Sequence, residues 1–417
     1  MKILVALALL TGAAAQADTI HLKLLPSGAA PMYAWRTPQR LVLTINPPQT
    51  VKKVPAGLVA PRYGLLPLGP KERQTIATVI LDEGVKGKSR LYVDANADGD
   101  LTNDPAPEWK AHPYQGKSGQ TFTAWEGYIT VPVFFGETPQ PLRLGVFRAD
   151  KDDTEQAQNQ DALLYYADYG CVGKITLGGA TYDVGLVDLV TTGDFRGWQG
   201  YRAGGVLLQI DVNGNGVFER RGEAFNVLHP FNIRGTTYEI ADMGASGETF
   251  TLRKSDKSVP EIPPPPDLRP GRKALPFTAR TTSGKTIRFP DAYKGKIVLL
   301  YFWVTWGDSL QAGLPYLAEA YRRYHAQGFE ALGVSLDKED AAAKLADFTR
   351  ANKLPWPQIY DGKGWQAEIA QLYGVTGLPT AYLIDGSSGE VLASGSDVAG
   401  PSLSKTLQKA LARKRGA

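Results

Sequence analysis

The strongest apolar signal in the chain runs unbroken from Ile297 to Val304, eight residues rich in β-branched and aromatic types. Such a run predicts a strand buried on both faces of a parallel sheet. Thr305, Trp306 and Gly307 interrupt it, and Asp308 and Ser309 offer N-cap chemistry for a helix. The apolar positions that follow, Leu310, Leu314, Leu317, Tyr321 and Tyr324, recur at steps of three and four, which makes one buried stripe. Strand, turn and helix N-terminus form half of a βαβ unit, and the turn is where such folds keep their chemistry.

Before residue 260 the period changes. Short runs of β-formers alternating with polar residues fall at 74–81, 90–93, 128–135, 142–147, 180–187, 206–210 and 236–240, separated by Gly, Asn, Asp and Pro. They predict an all-β region over 18–259, an antiparallel sandwich or barrel in one or two units. Ala29 to Pro70 is too rich in Pro and Gly to give a register. The stretch 260–273 holds six prolines, four of them consecutive, and predicts an extended spacer. Over 274–413 strand and helix patterns alternate: a second parallel strand at 328–337, a helix over 338–352 with Leu345 and Phe348 inward, and a third helix over 364–373 that Gly374 stops.

The residues around the central strand resemble the exported thioredoxin-fold disulfide reductases of bacteria, the TlpA/ResA-like group. There a buried strand ends Phe-Trp-x-x-Trp, Cys-x-x-Cys opens the helix, and a Glu and Leu-Pro follow. Phe302, Trp303, Trp306, Leu314 and Pro315 match, while the cysteine positions hold Gly307 and Leu310 and the Glu position holds Gly313. The resemblance continues through 277–288, similar to the hairpin that opens these domains, to the strand after Leu378-Pro379-Thr380. It implies a C-terminal α/β thioredoxin-like (redoxin) domain, a cis bond at Pro379, and a binding surface of Trp306, Asp308, Ser309, Leu378 and Pro379 for an extended protein or peptide. Thiol–disulfide exchange needs a thiolate, which neither Gly307 nor Leu310 can supply. The frame is kept and the reactive groups are gone.

Composition narrows the picture further. A formal charge of +4 over 417 residues gives no ground for nucleic-acid or membrane binding. The only cysteine, Cys171, excludes an intrachain disulfide and a catalytic pair, and reads as a small buried hydrophobe. Residues 1–17 read as a secretory signal peptide, with Lys2, an apolar Ile3 to Leu10 and the small-x-small Ala15-Gln16-Ala17. The mature chain is expected to be exported, to begin near Asp18, and to have no membrane span.

Two stretches, 117 positions apart, place D-x-N-x-[DN]-G after a strand: Asp94, Asn96, Asp98 with Asp100 and Asp104, and Asp211, Asn213, Asn215 with Glu223. The spacing matches the opening of an EF-hand-type calcium loop, although neither has an acid at the closing position and no amphipathic helix flanks either. The plain alternative is a tight hairpin turn. Four Asp within eleven residues favour calcium in the first loop, because they would otherwise repel one another. The Asn-Gly pairs favour the turn in the second. Ser309 lacks a base: His325 follows sixteen residues later, about 24 Å along the axis. Apart from calcium no cofactor is implied. The leading expectation is a redox-inactive binding or scaffold module. Its alternatives are an enzyme of the same family with an unidentified mechanism, and a calcium-stapled adhesin or glycan binder.

Overall fold

The computed structural model describes residues 17–32, 36–84, 88–116, 120–197, 205–306 and 308–415, so the expected signal peptide lies outside them but for its last residue. The chain divides into two compact units, Met1–Pro263 and Pro264–Ala417.

The first unit is strand-rich, and its named strands all pair antiparallel. One five-stranded sheet runs Gln39–Val42, Ala162–Ala167, Pro139–Arg148, Thr121–Phe134, Glu108–Gln115. Another runs Ala224–Asn226, Val206–Ile210, Ala180–Asp188, Gly170–Leu177, Lys23–Leu25. A four-stranded and a three-stranded sheet complete it. All seven expected strands are present, and one shared core joins Leu24 and Leu66 to Val131, Leu144, Leu186 and Phe250. Each Asp/Asn loop closes a three-stranded meander: Pro61–Leu68, Thr75–Asp82, Arg90–Asp94 before the first, and Gly170–Leu177, Ala180–Asp188, Val206–Ile210 before the second.

Pro61–Leu68 was hidden by Pro61, Gly64 and Pro67. It is an edge strand, where a missing N–H is readily tolerated. Gly64 is required by close approach, since a Cβ there would lie 2.8 Å from Leu41 Cγ.

Hydrogen bonds hold the chain on either side of the proline run. Asn232 Nδ2 donates to Val259 O, and Glu261 accepts the Arg234 and Gly235 amides. Beyond Pro263 the chain is tied to the second unit, where Leu268 enters the core and Gly271 N donates to Val391 O.

In the second unit the sheet order is Gln358–Tyr360, Phe329–Ser335, Ile297–Trp303, Thr380–Asp385, Val391–Ser394. Ile297–Trp303 is central and buried at every residue, as its apolar run predicts. The sheet is mixed, however: this strand is parallel to Phe329–Ser335 and antiparallel to Thr380–Asp385. The hairpin is present as Phe277–Arg280 and Thr286–Phe289. Helix Asp308–Tyr324 follows the central strand. The 338–352 pattern becomes a 3₁₀ turn, Glu339–Ala341, and helix Ala342–Ala351. Extended geometry at Ala367 (φ −55°, ψ 130°) splits the 364–373 pattern into a turn and the short helix Glu368–Leu372, and Gly374 at φ +61° ends it. Ser402–Arg415 is the last helix. Among the described residues no helix is long and apolar enough to cross a membrane.

Candidate functional site

The central strand delivers its carboxyl end to a loop anchored from the neighbouring parallel strand. Asp337, buried just past Phe329–Ser335, accepts the Thr305 amide at 3.0 Å, the Thr305 hydroxyl at 2.8 Å and the Ser335 hydroxyl at 2.8 Å. That anchor fixes Thr305 and leaves the next side chain outside: Trp306 is 62% exposed, the most exposed large aromatic described. Gly307 lies outside the described residues. Of Asp308, Ser309 and Leu310 only the helical backbone is described, so the capping and binding roles expected of Asp308 and Ser309 lie outside too.

Register brings the second half of the site to the same sheet end. Phe302 pairs with Thr380, so Pro379 adjoins the end of the central strand. The Leu378–Pro379 bond is cis, as the resemblance implies. Pro379 is exposed, whereas Leu378 is half-buried against the core. A cleft of about 340 Å³ opens here, lined by Tyr301, Gly313, Leu317, Pro379, Thr380 and Leu403. Gly313, where the family has Glu, leaves it open: among the described residues outside its own helix backbone, a Cβ built there meets only Tyr301 Oη, at 3.8 Å. Burial pushes the Tyr301 phenol up to about 12, which keeps it neutral at physiological pH.

Neither the chain's cysteine nor a described histidine lies at this end. Cys171 lies in the other unit, fully buried, with Sγ donating to Ser246 O at 3.3 Å, and burial pushes its thiol up. His325 sits beyond the C-terminus of the 308–324 helix, its Nδ1 3.2 Å from Phe329 O and its ring stacked on Tyr321.

Both Asp/Asn loops fold around their first carboxylate. Asp94 accepts the Asp98 and Gly99 amides, and Asp211 accepts those of Asn215 and Gly216. In the first loop the expected repulsion is answered by lysine: Lys53 Nζ reaches Asp100 at 3.2 Å, and Lys52 Nζ donates to Asp98 O. Loop hydrogen bonds hold the Asp98 and Asp100 carboxyls low. Asp104 accepts the Ala95 amide through Oδ1, while its buried Oδ2 has no partner, and burial raises it. In the second loop the sequence reading missed Glu219, which accepts Asn215 Nδ2 at 2.7 Å. Glu223 is fully buried and accepts the Asn213 and Glu219 amides, and burial followed by the Glu219 carboxyl pushes it well above its ordinary value. Among the described residues no three Asp, Glu, His or Cys side chains are grouped closely enough to hold a metal ion.

Residues 270–391 match the AhpC/TSA family. The chain is 37% identical over 115 residues to the thiol-disulfide oxidoreductase ResA of Bacillus thuringiensis, covering 28% of this chain and 63% of that protein. To ResA of Bacillus subtilis it is 31% identical over 115 residues, 61% of that protein. It thus spans somewhat under two thirds of these curated relatives. The thioredoxin domain of a thiol-disulfide oxidoreductase from Bacteroides vulgatus is 27% identical, with 35% of this chain and 99% of that one covered and a TM-score of 0.31.

Proposed function

We propose, on the premise that residues 270–391 form a redoxin domain of the AhpC/TSA family homologous to ResA, that this domain grips an extended protein or peptide segment instead of exchanging disulfides with it. The chain would then act as an exported binding or scaffold module. One observation carries the reading: the only sulfhydryl is buried in the β-rich unit, while the family's two cysteine positions hold Gly307 and Leu310. The surface that remains, with exposed Trp306, Pro379 and a cleft free of a side chain at 313, suits a backbone-and-aromatic grip. The full chain, mixed with insulin and dithiothreitol, is expected to precipitate insulin no faster than buffer; turnover above that background overturns the reading. A carboxymethylated, unfolded polypeptide serves as the binding probe. Gly313→Trp should fill the cleft and weaken its binding about tenfold, and an undiminished affinity would remove the cleft from the site.

Calcium in the Asp/Asn loops is the second reading. It is favoured by the raised Glu223 carboxyl beside Glu219 and by the unpartnered Asp104 Oδ2. Glu223 would ionise, and Asp104 Oδ2 would gain a partner, against a divalent cation. The sign is defined. Glu223 lies above its ordinary 4.5 when folded, so the folded chain holds a proton that the unfolded chain releases. Stability therefore falls as pH rises from about 4.5 toward the folded value, and is flat below. In chelator the melting temperature should drop between about pH 5 and about pH 7, and millimolar calcium should restore it. Glu223→Gln should flatten the pH profile. Absence of any calcium shift ends this reading.

A further inference from the structure

The cleft beside Pro379 is specific about what could fill it. Its inner wall is Leu299 and Tyr301 from the central strand, Leu317 from helix Asp308–Tyr324, Val398, and Leu403 from the start of the last helix. Each of these five is more than nine-tenths buried.

Tyr301 differs from the other four in carrying a polar atom. It is 8% exposed, and its hydroxyl has no hydrogen-bond partner among the described residues. That oxygen is not sealed in the core, as the unpartnered Tyr182 hydroxyl is. It looks toward position 313, 3.8 Å from where a Cβ would sit, and Tyr301 and Gly313 both line the cleft. A phenol withdrawn from bulk water loses hydrogen bonds that nothing described in the protein replaces. The Thr380 hydroxyl, also at the cleft, already donates its proton to Gly377 O at 2.6 Å.

The wall therefore discriminates among side chains. No Asp, Glu, Lys, Arg or His lines the cleft, so a charged tip would lose its water and meet no counter-charge. A hydrocarbon tip would leave Tyr301 unpaired. The aliphatic surfaces of Leu299, Leu317, Val398 and Leu403 suit a flat ring as the stem. A volume of about 340 Å³ lies in the range that admits ring-sized ligands. A phenol meets all three demands: it is flat, it is uncharged, and its hydroxyl can either donate to Tyr301 or accept from it. The route in is geometric. Side chains of an extended segment point alternately to opposite sides, so a backbone passing Pro379 turns one of them into the cleft.

Resting on the reading of this domain as a grip for an extended segment, we propose that the cleft is a specificity pocket for a tyrosine side chain of that segment, with the Tyr301 hydroxyl as its hydrogen-bond partner.

The test uses the full chain and fluorescein-labelled peptides of the form Gly-Ser-Ala-X-Ala-Ser-Gly, with Tyr, Phe, Ala, Glu or Lys at X, read by anisotropy. The carboxymethylated, unfolded polypeptide is the control for the grip itself. The tyrosine peptide is expected to bind about three- to tenfold tighter than the phenylalanine peptide, and the glutamate and lysine peptides no tighter than the alanine one. Tyr301→Phe should erase the preference of tyrosine over phenylalanine. It should keep the melting temperature, because the deleted oxygen has no described protein partner. The peptide ranking on the natural chain needs no variant. Binding of the polypeptide with no preference among the five peptides overturns this inference and leaves the grip standing, whereas no binding of polypeptide or peptides overturns both. A tyrosine preference that survives Tyr301→Phe overturns the inference, as does a preference for glutamate or lysine. So does a dimer in sedimentation that Gly313→Trp dissolves, since a second copy of the chain would then occupy the cleft.

Discussion

A chain carrying Gly307→Cys together with Leu310→Cys is expected to reduce insulin, and the natural chain to leave it at the buffer rate. The helix begins at Asp308, so position 307 precedes its first residue and position 310 lies in its first turn. The amides of a first turn have no intrahelical acceptor, and the helix dipole adds partial positive charge there. A thiol in that place drops from about 8.5 toward about 7, which multiplies its thiolate fraction at pH 7 roughly tenfold. Initial insulin precipitation with dithiothreitol should therefore run clearly above that of the natural chain, which has no thiol at this site. Pro379 adjoins the end of the central strand, and Asp337 holds Thr305 just before the substituted positions. Adding Gly313→Glu, which returns the family's acid to the cleft, should raise the rate further. An inert double variant that folds and forms the new disulfide would show that the redoxin frame has lost more than its sulfur.

How much of this was legible in the sequence depended on the range of the interaction. Ile297 to Val304 announced itself because a strand covered on both faces needs no polar position, and the structure buries all seven residues of Ile297–Trp303. What flanks that strand was less legible. The antiparallel neighbour Thr380–Asp385 looks like any short apolar run, and pairing direction is set by the path of the chain. Pro61–Leu68 was invisible because its prolines are tolerated only by virtue of being at an edge. What balances the acids of the first loop was hidden for a similar reason. Lys53 folds back onto the Asp100 carboxylate and Lys52 onto the Asp98 backbone carbonyl, each more than forty residues away, and no local pattern announces that. Pro67, Tyr165 and Thr191, spread over more than a hundred residues, line one cavity of about 500 Å³ that only the assembled sheets bring together.

That assembly rests on Arg148, and its removal gives the largest stability loss expected in the β-rich unit. Arg148 is 3% exposed and ends the strand Pro139–Arg148. Its guanidinium donates to three carbonyls, Asn159 O at 2.7 Å, Gln160 O at 2.8 Å and Ala162 O at 3.0 Å, and to the Glu83 carboxylate at 3.1 Å. These contacts hold the turn that feeds strand Ala162–Ala167, which carries Tyr165 into the wall of the cavity. Arg148→Met keeps much of the apolar stem but leaves the three carbonyls and Glu83 without their donor. The expected cost is about 3–5 kcal/mol, seen in urea as a lower midpoint and in calorimetry as a fall of roughly 10 °C in the transition of that unit. Arg148→Lys should recover only part of it, since an ammonium cannot reach a forked set of acceptors on two sides at once. Glu83→Gln, which keeps an acceptor for the guanidinium, should cost distinctly less than Arg148→Met. Equal losses from the two would place the energy in the ion pair, and a loss confined to Arg148→Met places it in the three carbonyls of the turn.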